Sequence, residues 1–210
     1  MQGLSAACFR ATCAGSFGGV RAALYDWRSP LGTPERGTGG VSIFAAQIAA
    51  AHGANVIVTS SKDGNLAKVK SLIPNENVRG INYRTHSDWA SEVLRLTDGL
   101  GADITLDVAG GEGINQSVAA TRVQGVIALV GFLTGQQSDL NLMPLIFRQT
   151  TIRGIAVALR SSFERMNVFL NEKKIKPVID HVYDFGDAVH AFEHLARGPF
   201  GKVVIKVANT

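Results

Sequence analysis

Gly37-Thr38-Gly39-Gly40-Val41-Ser42 is the stretch of this 210-residue chain whose residue types and spacing point most directly to chemistry. It runs straight into the apolar-rich segment from Ile43 to Ala50. Glycines that open a helix leave backbone N–H groups bare at the positive end of the helix dipole, where a pyrophosphate can approach. Such a turn is expected between a strand that carries it and a helix that receives it. Directly upstream, residues 28–36 contain Pro30 and Pro34, and proline is excluded from a buried central strand. The residues therefore predict a phosphate-binding turn without the strand that should feed it. The bland alternative, a structural loop only, stays open at this point.

Few other residues offer chemistry. His190, Glu193 and His194 match an H-x-x-E-H metalloprotease pattern on a predicted helix, which would put both imidazoles on one face. No third ligand accompanies them, and Ala188, Val189, Phe192, Leu195 and Ala196 are ordinary helix residues, so the helical reading is preferred. Cys8 and Cys13 are the only cysteines; they form no disulfide framework, lack a neighbouring base, and are expected to be inert thiols in a reducing compartment. No Ser-His-Asp arrangement and no carboxylate pair stands out.

Composition narrows the class. With 46% hydrophobic and 18% charged residues the chain has the make-up of a soluble globular protein. The net charge of +4 is scattered over Lys62, Lys68, Lys70, Arg95, Lys173, Lys174 and Lys176 without interleaved aromatics. A nucleic-acid surface is therefore not expected, and phosphorylated small molecules are the better partners. No apolar run has the length of a membrane span; Val126 to Leu133 suits a buried strand. A cytoplasmic location is expected. Arg10 and Arg21, with no acid before Asp26, make a mitochondrial presequence the second choice.

The elements that must position the turn follow from periodicity. Residues 1–36 read as an irregular segment with a short helix near 20–27. From Gly37 onward helical and extended segments alternate, the pattern of a parallel sheet covered on both faces. Helices are predicted over 42–52, 65–72, 87–96, 115–120, 142–148 and 163–173, and strands over 55–61, 80–83, 102–109, 125–132 and 151–157. Three of the strands end in glycine or small residues, at Ala109-Gly110-Gly111, Gly131-Phe132-Leu133 and Gly154-Ile155. In an open parallel sheet, ligands sit beyond those carboxyl ends. Residues 177–207 add a β-α-β piece after the sheet should be complete.

Taken in order, Gly37 to Ser42, Val56 to Ser61, Ile81-Asn82-Tyr83, Val130-Gly131-Phe132, Thr151 to Ile155, Pro177 to Asp180 and Phe200 to Val204 resemble the medium-chain dehydrogenase/reductase family. The likeness is to its zinc-independent, quinone-oxidoreductase-like and alcohol-dehydrogenase-like members, and covers residues 37 to about 207. It implies an α/β fold: a doubly wound parallel Rossmann sheet over residues 37–177 with strand order 3-2-1-4-5-6. The first central strand would be missing, and a remnant of the GroES-like catalytic domain would occupy 178–210. It implies an oxidoreductase passing hydride between a nicotinamide cofactor and a carbonyl, quinone or enone, here truncated at its N-terminal side and without zinc.

By the same resemblance Gly37, Thr38, Gly39, Gly40 and Val41 form the pyrophosphate turn, with Ser42 in place of the third glycine. Ser60, Ser61 and Lys62 fall where cofactor choice is made. An NAD enzyme usually presents an acid there, whereas here Thr59, Ser60 and Ser61 stand at that strand end and the first acid after them is Asp63. Hydroxyls and a lysine suit a 2′-phosphate, so NADP is expected over NAD; a solvated loop is the other reading of these three. Tyr83 falls near the adenosine end, or is simply an edge-strand aromatic, and Ala109, Gly131, Phe132 and Leu133 fall beside the ribose and nicotinamide. A homodimer through the sheet edge is implied by analogy. The competing expectation is a non-catalytic fragment that binds nucleotide weakly or acts only by associating with other chains.

Overall fold

Val56 to Ser60 are buried without a break, which a strand requires when helices cover both faces of its sheet. Its side chains divide by parity. Val56 and Val58 join Ile43, Ala46, Ala49, Leu66 and Val69 in one core cluster, while Ile57 joins Ile81, Trp89 and Val93 in another. The computed structural model describes the backbone of residues 21–25 and residues 39–73 and 76–208. Gly37, Thr38, Cys8 and Cys13 lie outside the described residues.

In chain order the elements are β1 (Arg21–Tyr25), α1 (Gly40–Ala51), β2 (Asn55–Ser60), α2 (Asp63–Leu72), β3 (Val78–Asn82), α3 (Trp89–Leu96), β4 (Ala102–Asp107), α4 (Ile114–Ala120), β5 (Thr121–Leu129), α5 (Leu142–Arg148), β6 (Thr151–Gly154), α6 (Arg160–Glu172), β7 (Ile179–Asp184), α7 (Ala188–Ala196) and β8 (Lys202–Lys206). Six strands form a sheet ordered β3-β2-β1-β4-β5-β6, parallel throughout. All six carboxyl ends therefore share one edge. This is the expected doubly wound α/β order.

One expectation is overturned. The central position is not empty: β1 fills it, pairing Ala22 with Val56 on one side and with Ile104 on the other. The strand lies inside the segment read as irregular, where a short helix was expected. Arg-Ala-Ala-Leu-Tyr is a weak β sequence by composition. It also stands well upstream of the glycines rather than against them. Two flanking strands with unpaired ladders impose extended backbone on whatever segment lies between them, and local propensity does not reveal that.

The helix starts also shift. α1 begins at Gly40 rather than Ser42, because the first turn needs no intrahelical N–H partner and tolerates glycine. α3 is capped by Asp88, whose carboxylate accepts from Ser91 N at 3.1 Å.

β7 and β8 form a separate two-stranded parallel sheet spanned by α7. This piece returns to the start of α1. Gly39 bridges Gly201, Lys202 N donates to Val178 O at 2.9 Å, and Val178 and Phe200 pack on the cluster that contains Ile43.

Candidate functional site

The described part of the glycine turn is a close backbone approach. Gly39 is extended (φ −70°, ψ 170°) and no side chain caps α1. A Cβ on Gly40 would stand 2.9 Å from Lys202 Cγ, 3.1 Å from Gly201 O and 3.2 Å from Lys202 Nζ. The Lys202 side chain thus fills the space beside Gly40 that a Cβ would occupy, with Gly201 O next to it. It packs beside the first residue of α1, at the positive end of the helix. Val41 is half-buried, and Ser42, in the first turn, is buried with its Oγ lacking a hydrogen-bond partner among the described residues.

At the end of β2 the backbone turns from Ser60 into α2. Ser60 is buried and its Oγ accepts from Lys62 N at 3.4 Å. Ser61 is 7% exposed, yet its Oγ has no partner among the described residues. Lys62 is exposed at the N-cap of α2. Asp63, the first acid, is held by Asn82 Nδ2 at 2.9 Å. Tyr83 is buried and its N donates to Ser60 O at 3.1 Å, which places it beside the same strand end as the serines.

The ends of β4, β5 and β6 enclose a cleft of about 700 Å³ whose walls include Gly110, Gly111, Gly131, Phe132, Gly154 and Ile155. Much of this wall is backbone. A Cβ on Gly110 would meet Gly131 O at 2.8 Å, and one on Gly131 would meet Val108 O at 2.7 Å. Ala109 is fully buried behind the glycines and Phe132 is 62% exposed at the rim. Leu133, also exposed, is not among the lining residues of this cleft.

Two residues that sequence reasoning passed over belong to the arrangement. Lys202 is one; it lies 162 positions after Gly40, and nothing in its Gly-Lys-Val-Val context signals the encounter. Asp107 is the other. It is fully buried at the end of β4; Oδ1 accepts from Ala109 N and Gly110 N, each at 2.9 Å, and Oδ2 accepts from Ser117 Oγ at 2.8 Å. Burial pushes its carboxyl above the ordinary carboxylate range, against the lowering effect of these three donors. The one local mark of it is an acid at the end of an otherwise apolar strand, in Asp107-Val108-Ala109-Gly110; that the carboxyl turns inward is not written there.

The H-x-x-E-H histidines serve separate contacts. His194 lies between Asp180 Oδ2, 2.9 Å from Nε2, and the Tyr183 hydroxyl, 3.0 Å from Nδ1. His190 faces Asp187 at 3.6 Å. With both His194 nitrogens engaged on β7, the pair has no shared vacancy for a metal.

Comparison with known proteins agrees with this geometry. The model of the zinc-binding dehydrogenase family matches residues 40–172. The chain belongs to that family. A zinc-type alcohol dehydrogenase-like protein of Schizosaccharomyces pombe is 36% identical over 202 residues, covering 89% of this chain and 58% of the relative. Among solved structures, a protein assigned as an alcohol dehydrogenase from Sinorhizobium meliloti 1021 is similar with a TM-score of 0.78 and 38% identity, over 91% of this chain and 52% of that one. An NAD-dependent alcohol dehydrogenase gives 0.76 and 32%, over 92% and 52%. The chain thus spans about half the length of the dehydrogenases it matches. The family's name carries a metal, but among the described residues no three His, Cys, Asp or Glu side chains are grouped to hold one. Nor, among the described residues, is any helix long and apolar enough to cross a membrane.

Proposed function

We propose that this chain forms the dinucleotide-binding part of an NADP-dependent oxidoreductase that passes hydride between the nicotinamide and a carbonyl, quinone or enone substrate. The observation that carries the reading is the glycine-walled edge of the sheet. At Gly110 and Gly131 the backbone comes too close for any Cβ, and at Gly40 a Cβ would press on the Lys202 side chain and Gly201 O; bare backbone is what a phosphate or a flat ring needs in order to approach. The cofactor, when bound, supplies the hydride.

The protein's own residues bind and orient. Gly37 to Val41 and the α1 N-terminus receive the pyrophosphate, with the Lys202 ammonium closing on it from β8. Ser61 Oγ and Lys62 meet the ribose 2′-phosphate, with Ser60 and Tyr83 supporting the adenosine side. Ala109, Gly131, Phe132 and Leu133 border the ribose and nicotinamide. The choice of NADP over NAD rests on the Ser61 hydroxyl, unpartnered among the described residues, on Lys62 beside it, and on the engagement of Asp63 by Asn82. Residues 37–177 act as the binding domain and 178–210 as the return segment of the catalytic domain. Among the described residues β6 has a hydrogen-bonded neighbour only in β5, and its outer edge is the one at which a second copy would pair in a homodimer.

A thermal melt with each nucleotide tests the reading. Ligand at about 100 times its Kd adds roughly 2.7 kcal/mol of stability, so NADPH should raise the midpoint by several degrees and NADH by less. Equal shifts would refute the NADP preference, and no shift with either would refute dinucleotide binding. Lys202→Met should weaken both nucleotides about tenfold, about 1.4 kcal/mol, read by fluorescence titration. A second reading is favoured by the apolar surface of α7 and its approach, where Phe185, Val189 and Phe192 are exposed. It makes the chain a fragment that acts through association with another polypeptide. Turnover of NADPH with any quinone or enone by the purified chain would exclude it.

A further inference from the structure

We propose that Asp107 is a positioning residue for the nicotinamide end of the cofactor, acting through the turn it holds rather than by touching ligand; this rests on the dinucleotide-binding reading above. The turn after β4 runs at Gly110 with φ 62° and ψ −149°, a conformation that glycine alone adopts readily and that the surroundings must fix. Both sides of its backbone are fixed. Inward, the two N–H groups of Ala109 and Gly110 converge on one oxygen of the Asp107 carboxylate. Outward, Ala109 O accepts from Thr134 N at 3.0 Å and from Thr134 Oγ1 at 3.2 Å, and Gly110 O accepts from Thr134 Oγ1 at 3.0 Å.

The remaining carboxylate oxygen is not idle. It is tied to Ser117 of α4, and the main-chain oxygen of Asp107 accepts from Val130 N at 2.7 Å. One residue therefore joins the ends of β4 and β5 and the helix behind them to the turn that walls the cleft. Asp107 is itself fully buried and is absent from the cleft's lining. Any effect it has on a ligand must pass through Ala109–Gly111. Since a wall of backbone offers no flexible side chain to adapt, an error of about 1 Å in that turn misplaces the ring resting on it.

The test uses the full chain with two ligands, NADPH and 2′,5′-ADP, which lacks the nicotinamide and its ribose. Asp107→Ala should weaken NADPH about tenfold or more, at a temperature where circular dichroism shows the variant folded, and should leave 2′,5′-ADP within about twofold. Asp107→Asn keeps an acceptor for both N–H groups and turns an NH₂ toward Ser117 Oγ, so it should restore NADPH binding to within about twofold of the unaltered chain. Val118→Ala, a core truncation in α4 away from the turn, controls for general loosening and should change neither ligand selectively. If Asp107→Ala does not fold, Ser117→Ala takes its place, with a smaller loss confined to NADPH. Equal loss of both ligands in the Asp107 or Ser117 variants, no loss, or failure of Asn to restore binding would overturn the proposal. An unaltered chain that binds neither ligand would instead overturn the dinucleotide reading on which it stands.

Discussion

At the scale of single residues, two buried polar groups carry opposite lessons. Asp107 is satisfied by three donors and still strained by burial, so its folded form holds a proton more tightly than the unfolded chain does. As pH rises from the ordinary carboxylate range through the raised folded value, the unfolded chain releases its proton first, and stability falls. Above both values the penalty is constant. Asp107→Asn removes this dependence, so its urea-unfolding free energy should overtake that of the unaltered chain as pH is raised from about 4 to 7. Asp107→Ala leaves three donors unpaired and should cost about 2–5 kcal/mol where the carboxyl is protonated, the difference narrowing as pH rises. Ser61 is the reverse case, a buried hydroxyl without a partner among the described residues. Ser61→Ala should leave the unliganded chain as stable or up to about 1 kcal/mol more stable, while lowering NADPH affinity about fivefold and leaving NADH unchanged. A melt paired with a titration reads both effects at once.

At the scale of elements, β1 decides whether the sheet is continuous. It hydrogen-bonds to β2 on one side and β4 on the other, so a residue in its middle cannot lose its N–H without a gap in a central ladder. Ala23→Pro should destabilise the chain by about 3 kcal/mol or more, seen as a lower urea midpoint with the loss of protected amides in β2 and β4. A change of less than about 1 kcal/mol would mean that the strand is dispensable. The helices were legible because their signals are local. Asp88 caps α3 through Ser91, three residues on, and α5 has the predicted bounds, Leu142–Arg148. β2 was legible because its Val-Ile-Val run fits a strand buried on both faces. β1 was not, because alanine-rich backbone becomes a strand only between neighbours that demand one.

At the scale of the whole molecule, the C-terminal β-α-β piece leaves apolar surface on its outside while its inner residues, Val178 and Phe200, pack on the Rossmann core. Phe192 is 66% exposed, so Phe192→Ser should change stability by less than about 0.5 kcal/mol. If association uses this face, the same change should lower the sedimentation coefficient at high concentration; an unchanged distribution would place association elsewhere. By itself the amino-acid sequence determined the α/β class, the alternation of elements from Gly37 onward and the glycine-bearing strand ends, because each is written in spacing over a few residues; the strand order came only as what the family resemblance implies. Family membership followed from the same ordered motifs. Only the tertiary structure decided three things. It put Arg21–Tyr25 at the centre of the sheet, brought Lys202 over Gly40, and turned Asp107 inward to hold the Ala109–Gly110 turn. Each depends on partners distant in sequence or on the burial of a group whose surroundings no local pattern encodes, and long-range pairing and desolvation are properties of the folded chain alone.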